Sequence, residues 1–153
     1  MIIRIQESDF EVNKEILGLK DLCPIVPGAI TNFVGYVRNE SNKNNITSMT
    51  IEYYPGMTEK MLTQISLNAM KKWPLLGTLI IHRYGKLMVG DQLVMAAAAS
   101  LHRNASFEAT HFLMDYLKTN APFWKSETIN NEKNWVQANE SDNIELEKWN
   151  QKN

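Results

Sequence analysis

Apolar and polar positions repeat with two different periods along this chain, and the changes of period mark its predicted elements. Runs of β-branched and aromatic residues that alternate with polar ones predict strands, and apolar residues at helical spacing predict helices. The predicted strands are 2–5, 29–37, 46–54, 77–84, 92–100, 126–129 and 135–138. Helices are predicted from residue 8 or 9 to about 19, at 57–73, at 104–120 and at 142–150.

Capping residues and helix breakers refine the helix ends. Ser8 or Asp9 is expected to cap the first helix, and Asn104 is expected to cap the third. Asn120 is followed by Ala-Pro, which ends the third helix because proline has no N–H to donate and biases the preceding residue away from helix. Lys118 therefore falls in the last helical turn.

The order of the elements indicates the fold class. Strands and helices alternate at first and then give way to a hairpin, which is typical of an α+β domain with a mixed sheet. Segment 85–91 carries turn residues and is interpreted as a short excursion between two strands. A chain of 153 residues is long enough for one domain with a substantial core, 1–153, in which 142–153 forms a terminal helix and tail.

Composition narrows the functional classes. Sixteen basic and seventeen acidic residues give a net charge of −1, which disfavours nucleic-acid binding because no basic stripe is present. The single cysteine, Cys23, excludes an internal disulfide and a cysteine-rich zinc site. The N-terminus has no signal-peptide pattern, and the longest apolar run, 93–99, is too short to cross a membrane. We therefore expect a soluble, cytoplasmic protein.

Two lysines flank a proline turn and are the first candidates for chemistry. Lys118 lies in the last turn of a predicted helix, and Lys125 follows Phe123 and Trp124 directly. Desolvation by the rings and the like charge of the other lysine both disfavour a protonated amine, so either lysine is a candidate acid, base or nucleophile. The structural alternative is a helix-end lysine that favours the negative end of the helix dipole, followed by an ordinary strand lysine.

A histidine and an arginine stand at the entrance of the same helix. The backbone N–H groups of a helix N-terminus and the forked guanidinium of Arg103, next to His102, both suit a phosphate group. The alternative is a surface pair that is satisfied by its neighbours. His82 and His111 form no metal-ligand spacing and are interpreted as a strand histidine and a helix histidine.

Several short segments between about Gly28 and Asp142 are distinctive in combination. They are Phe33-Val-Gly-Tyr-Val-Arg38-Asn39, Glu52-Tyr-Tyr-Pro-Gly-Met-Thr58-Glu59-Lys60, Ile81-His-Arg-Tyr-Gly85, Val89-Gly-Asp91, Leu101-His-Arg103 and Met114-Asp-Tyr-Leu-Lys-Thr-Asn-Ala-Pro-Phe-Trp-Lys125. In this order, they strongly resemble the large, catalytic subunit of molybdopterin synthase.

The resemblance implies a sulfurtransferase of molybdenum cofactor biosynthesis. The enzyme would convert cyclic pyranopterin monophosphate (precursor Z) into molybdopterin by installing the two dithiolene sulfurs. The implied sulfur source is a small ubiquitin-like subunit, which carries a thiocarboxylate on a C-terminal Gly-Gly tail. The implied fold is α/β hammerhead-like with a small added β-rich subdomain, and the implied assembly is a homodimer with one small subunit at each end, a heterotetramer. The resemblance implies no resident metal or cofactor.

The same resemblance assigns roles to individual residues. By its motif, Lys118 matches an essential lysine beside the incoming tail, and Lys125 matches a second active-site lysine. His102 and Arg103 match a substrate-anion pair contributed across the dimer. The remaining substrate-binding residues that it implies are Tyr36, Val37, Arg38, Ser126 and Glu127.

Two positions depart from the family pattern, and two other classes of protein compete with the enzyme. The family often has lysine where this chain has Tyr36 and arginine where it has Asn139, so both changes remove positive charge. One competitor is a non-catalytic dimeric module that binds a phosphorylated metabolite or a partner tail. The other is a structural dimer subunit whose aromatic residues serve only packing. Neither of these two alternative classes of protein requires both Lys118 and Lys125.

Overall fold

The computed structural model describes residues 1–39, 46–129, 132–135 and 149. In chain order the strands are β1 (Ile2–Gln6), β2 (Ala29–Tyr36), β3 (Ile46–Tyr53), β4 (Leu75–Arg83), β5 (Gly85–Met88), β6 (Gln92–Ser100), β7 (Phe123–Ile129) and β8 (Glu132–Trp135). The helices are α1 (Val12–Asp21), α2 (Met57–Lys72) and α3 (Arg103–Asn120). Over the described ranges the protein is therefore α+β, as the sequence predicts.

The larger core surrounds a mixed four-stranded sheet with the strand order β1-β4-β6-β2. β1 pairs with β4 in parallel, and the other pairs are antiparallel. The alanine run of β6 is fully buried, and its small side chains let helices pack closely on both faces. Ala96 and Ala98 belong to the cluster formed with α2 and α3, whereas Ala97 and Ala99 belong to the cluster that contains Leu19 of α1.

A second, antiparallel sheet with the order β5-β3-β7-β8 is the β-rich part of the molecule. Residues directly opposite each other in antiparallel strands share one face of the sheet. Ile51 is opposite Lys125 and Met49 is opposite Glu127, so these four side chains share a face. Ile51 is almost completely buried in a small cluster with Leu87. This inner face looks toward the end of the first sheet.

Most predicted elements are confirmed, but several details of the prediction are wrong. β7 begins at Phe123 and not at residue 126, and β8 covers Glu132–Trp135, where its predicted strand only begins at residue 135. Segment 85–91 contains a real strand, β5, which pairs with β3. The first helix begins at Val12 without a side-chain cap, and the Asp9 carboxylate instead accepts hydrogen bonds from the backbone of Phe10 and from Gln92. The third helix begins one residue earlier than Asn104, with His102 at its N-cap position.

Some predictions lie outside the described residues. These are the polar loop 41–45, Asn139, strand residues 136–138, and the terminal segment 142–153 apart from Trp149. Trp149 is helical and buried, and its indole Nε1 donates a 2.7 Å hydrogen bond to Asp115 of α3. Among the helices of the described ranges, none combines the length and apolar character needed to cross a bilayer.

Candidate functional site

An open cleft of about 540 Å³ lies where the end of β2, the last turns of α3 and the inner face of β7 meet. It is lined by Phe33, Val34, Gly35, Tyr36, Val37, Arg38, Met49, His82, Leu93, Val94, Met114, Leu117, Lys118, Lys125 and Glu127. Arg38, Lys118 and Lys125 are basic, and Glu127 is acidic. The cleft therefore combines an apolar wall with a local excess of positive charge, which suits an anionic ring compound.

Both candidate lysines reach this cleft from neighbouring elements. Lys118 lies in the last turn of α3 and is exposed, whereas Lys125 lies on β7 and is partly buried. The turn between them is held by Thr58, whose hydroxyl donates to the Pro122 carbonyl over 3.4 Å and accepts from the Tyr54 backbone over 3.1 Å. The motif around residues 54–58 thus fixes the turn that sets the spacing of the two lysines.

The other wall of the cleft ends in Arg38, and a tight turn fixes the backbone just before it. The Val37 N–H donates to the Asp91 carbonyl over 2.9 Å, and the Gly90 N–H donates to the Val37 carbonyl over 2.8 Å. Gly90 has a φ of 95°, a conformation that favours glycine. Val37 itself is buried, so Tyr36 and Arg38 carry the exposed side chains at this edge. The distant Val-Gly-Asp motif therefore holds the strand end that carries the arginine.

Strand alternation separates two residues that the resemblance groups together. Glu127 shares the inner face of β7 with Lys125 and lines the cleft, whereas Ser126 points to the opposite face, next to Thr50 and Trp135. The Ser126 hydroxyl is buried, and within the described residues it has no hydrogen-bond partner. Ser126 is therefore not part of the cleft wall in this structure.

The predicted anion pair lies elsewhere on the chain. His102 and Arg103 are exposed and line a separate concavity with Gly28, Leu101 and Asn104. Gly28 is required there, because a Cβ would lie 2.2 Å from the Leu101 carbonyl oxygen. Arg103 begins α3 and Lys118 lies near its end, so about 22 Å of helix separates them. One copy of the chain does not bring the pair and the two lysines together.

His82 also lines the cleft, although the sequence interpretation treated it only as a strand histidine. His82 is 5% exposed, its ring stacks on Phe123 with centroids 3.7 Å apart, and its Nδ1 lies 2.8 Å from the Arg83 carbonyl oxygen. Burial lowers the pKa of His82 to about 3, helped by repulsion from Lys125 and opposed by the Arg83 hydrogen bond. The imidazole is therefore neutral at neutral pH.

Several apolar cleft residues were also missed, including Phe33, Leu93 and Met114. Their helical or strand spacing is the same as that of core residues, so sequence alone gives no sign that they face a cavity. His111, in contrast, is exposed and lies 3.3 Å from Asp115 one turn along α3. Within the described ranges, no group of three or more histidine, cysteine or acidic side chains is arranged to hold a metal.

Comparison with known proteins agrees with this architecture. A family model described as "MoaE protein" matches residues 5–120. The chain is 45% identical over 147 residues to a molybdopterin synthase catalytic subunit of Ralstonia nicotianae, covering 96% of this chain and 83% of that protein. It is 42% identical over 149 residues to the subunit of the same name in Pseudomonas aeruginosa, covering 97% and 99%.

Solved structures give the same answer at the level of the fold. The molybdopterin biosynthesis MoaE protein from Burkholderia ambifaria superposes with a TM-score of 0.84 at 43% identity, covering 97% of both chains. Molybdopterin synthase from Staphylococcus aureus superposes with a TM-score of 0.79 at 28% identity, covering 87% of this chain and 95% of that one. From its sequence match and its fold, the chain belongs to the MoaE family, whose members include the molybdopterin synthase catalytic subunits.

Proposed function

We propose that this chain is the catalytic subunit of a molybdopterin synthase, which transfers sulfur from a small protein to cyclic pyranopterin monophosphate. The observation that carries the proposal is the convergence of Lys118, Lys125 and Arg38 on one cleft, in a chain of this family. The sulfur donor is a small ubiquitin-like subunit with a C-terminal Gly-Gly thiocarboxylate. The reaction takes place in the cytoplasm, and the chain needs no cofactor of its own.

The cleft offers a protein tail and a pterin the groups that sulfur transfer requires. The thiocarboxylate sulfur forms a bond to a substrate carbon while a C–O bond of that carbon breaks and the departing oxygen takes up a proton. Water then hydrolyses the resulting thioester, which leaves the sulfur on the substrate and a carboxylate on the small subunit. Lys118 is the principal acid and base in these steps. Lys125 orients the substrate and stabilises the developing oxyanion. No cysteine is needed for this route, because the partner supplies the sulfur.

Arg38 and the pair His102–Arg103 bind the substrate phosphate. Guanidinium groups and helix N-terminal amides are well suited to phosphate oxygens, and Arg38 is exposed at the rim of the cleft. Tyr36 and Glu127 complete this edge, with Tyr36 in the place of a cation. Ser126 lies next to Lys125 on the same strand, on the face away from the cleft.

A second copy of the chain supplies His102 and Arg103 to the cleft. Within the described residues, β2 pairs with a neighbour on one side only, and Phe33 and Phe107 beside it are 43% and 61% exposed. An apolar band beside a free strand edge is a typical protein-binding surface. A second copy running in the opposite direction along this band would bring its α3 N-terminus toward the Arg38 end of the first. The dimer then binds one small subunit at each outer end.

Reconstitution tests the proposal directly. The purified chain is mixed with the thiocarboxylated small subunit and cyclic pyranopterin monophosphate, and the dithiolene product is followed for the wild type and for Lys118→Ala. Product from the wild type alone is the expected result. A wild-type chain that binds the small subunit but forms no product would instead support a non-catalytic module that holds a phosphorylated metabolite or a partner tail.

A further inference from the structure

His82 is a polar residue of the cleft to which neither the resemblance nor the proposed chemistry assigns a role. It is the eighth residue of β4, near the end of a strand in the middle of the larger sheet. Its ring is stacked on Phe123, which begins the strand that carries Lys125, with an angle of 14° between the ring planes. The imidazole is thus held between the two sheets with little rotational freedom.

The hydrogen bond of Nδ1 fixes the tautomer of this ring. A carbonyl oxygen can only accept, so Nδ1, 2.8 Å from the Arg83 oxygen, must carry the proton. The ring is neutral, because burial disfavours the imidazolium and Lys125 repels it. Nε2 therefore carries a lone pair and is a hydrogen-bond acceptor. Since Nδ1 faces its own strand, Nε2 is the polar atom that His82 can offer to the cleft it lines.

A fixed neutral acceptor complements the other polar groups of the cleft. Lys118, Lys125 and Arg38 are donors only, and they suit the phosphate and the thiocarboxylate. Among the other lining side chains, acceptors are available from the Tyr36 hydroxyl and the Glu127 carboxylate, and Tyr36 lies at the exposed rim. The ring system of a pterin carries N–H groups that need acceptors once water is excluded.

We propose that His82 is a substrate-binding residue whose Nε2 accepts a hydrogen bond from an N–H group of the pterin ring, and that it thereby positions the ring against the two lysines. This inference rests on the proposed function, since it takes a pterin as the occupant of the cleft. His82 does not act as the acid or base. A neutral imidazole so resistant to protonation holds a hydrogen bond and leaves proton transfer to the lysines.

Two amide variants separate substrate binding from support of the strand. His82→Asn keeps an N–H near the position of Nδ1 but has no atom near Nε2, whereas His82→Gln extends an amide oxygen toward the Nε2 position. Both variants lose the stacked ring equally. Ile81→Val is a further control, because Ile81 is fully buried in the core cluster on the α1 side of the same strand.

Steady-state kinetics on the reconstituted complex give the first readout. We expect His82→Asn to raise KM for the pterin about tenfold with a smaller change in kcat, and His82→Gln to stay within about threefold of the wild type. Ile81→Val should leave KM unchanged. Equal KM values for the Asn and Gln variants would overturn the inference, since a structural role predicts no advantage for glutamine.

The second readout needs no variant and no turnover. In ¹⁵N-labelled wild-type protein, long-range ¹H–¹⁵N spectra should show His82 with a protonated Nδ1 and a bare Nε2, whose signal moves when pterin substrate is added. An Nε2 signal that does not respond to saturating substrate would overturn the inference. A wild-type chain that shows this shift but makes no product would refute the proposed function and leave the His82 assignment standing.

Discussion

Arg103 and Lys118 lie at opposite ends of the same helix, α3, and face two different concavities. A helix is too stiff to fold back on itself, and about 22 Å separates these residues along its axis. If both act on one substrate molecule, they must come from different copies of the chain. This relationship gives the sharpest test of the shared site.

Mixing two inactive variants should restore activity if the site is shared. Lys118→Ala and Arg103→Ala would each lose most activity alone. In a mixed dimer, one of the two sites receives Lys118 from one chain and Arg103 from the other, while the second site loses both. Random pairing of equal amounts therefore predicts about one quarter of the wild-type rate, since half of the dimers are mixed.

The measurement is product formation after the two variants are unfolded and refolded together, compared with each variant refolded alone. Lys118→Ala mixed with Lys125→Ala is the matched control, because both lysines line the cleft of the same chain, so every site in this mixture still lacks one lysine and no activity should return. No recovery in the first mixture would show that Arg103 does not reach the partner's cleft.

Replacing Lys118 by alanine should remove catalysis and spare the fold. Lys118 is exposed at the end of α3, and the helix is anchored by buried residues such as Leu113 and Leu117. We expect product formation to fall at least about 100-fold, in line with the loss of a general acid and base. The urea midpoint should change little. A Lys118→Ala enzyme with normal activity would refute its assigned role.

The buried histidine makes stability depend on pH in a defined direction. The ordinary pKa of histidine is 6.5, and the pKa of His82 in the folded chain is about 3, lowered first by burial. Between these values the unfolded chain binds one more proton, so the free energy of unfolding falls as pH drops below about 6.5. The maximum slope from one group is about 1.4 kcal/mol per pH unit.

Urea unfolding of the wild type and His82→Gln at several pH values measures this term. The wild type should lose about 1–2 kcal/mol more than the variant between roughly pH 7 and pH 5. Above pH 7 the two curves should run parallel, because His82 is then neutral in both states. Parallel curves throughout the acid range would contradict a buried, neutral His82.

Two glycines that look alike in the sequence should respond oppositely to alanine. At Gly28 the added Cβ meets the Leu101 carbonyl oxygen at 2.2 Å, so the segment before Arg103 must shift. We expect Gly28→Ala to cost about 2 kcal/mol or more and to weaken substrate binding. At Gly18, inside α1, nothing lies within 4 Å, and Gly18→Ala should stabilise by about 0.5–1 kcal/mol. Thermal unfolding and KM for the pterin measure both effects.

Local patterns predicted elements well where they were long and periodic. The bounds of β6 agree with the prediction, and α2 ends within one residue of it. The sequence analysis did not predict β5, because a strand of four residues is too short to show a periodic pattern. The segment is a strand because it pairs with β3. The placement of Ser126 outside the cleft lining likewise depends on where a strand begins. β7 begins at Phe123, so Lys125 and Glu127 alternate with Ser126 on opposite faces.

The sequence by itself determined the α+β class, the end of the third helix shortly after Lys118 and the family to which the chain belongs. These depend on local periods, on helix breakers and on motifs, all of which are written in consecutive residues. The tertiary structure alone decided that Val37 is clamped by Gly90 and Asp91, that His82 enters the cleft, and that Arg103 lies far from Lys118. Such relationships depend on strand register and on the packing of elements that are distant in the chain, which no local pattern encodes.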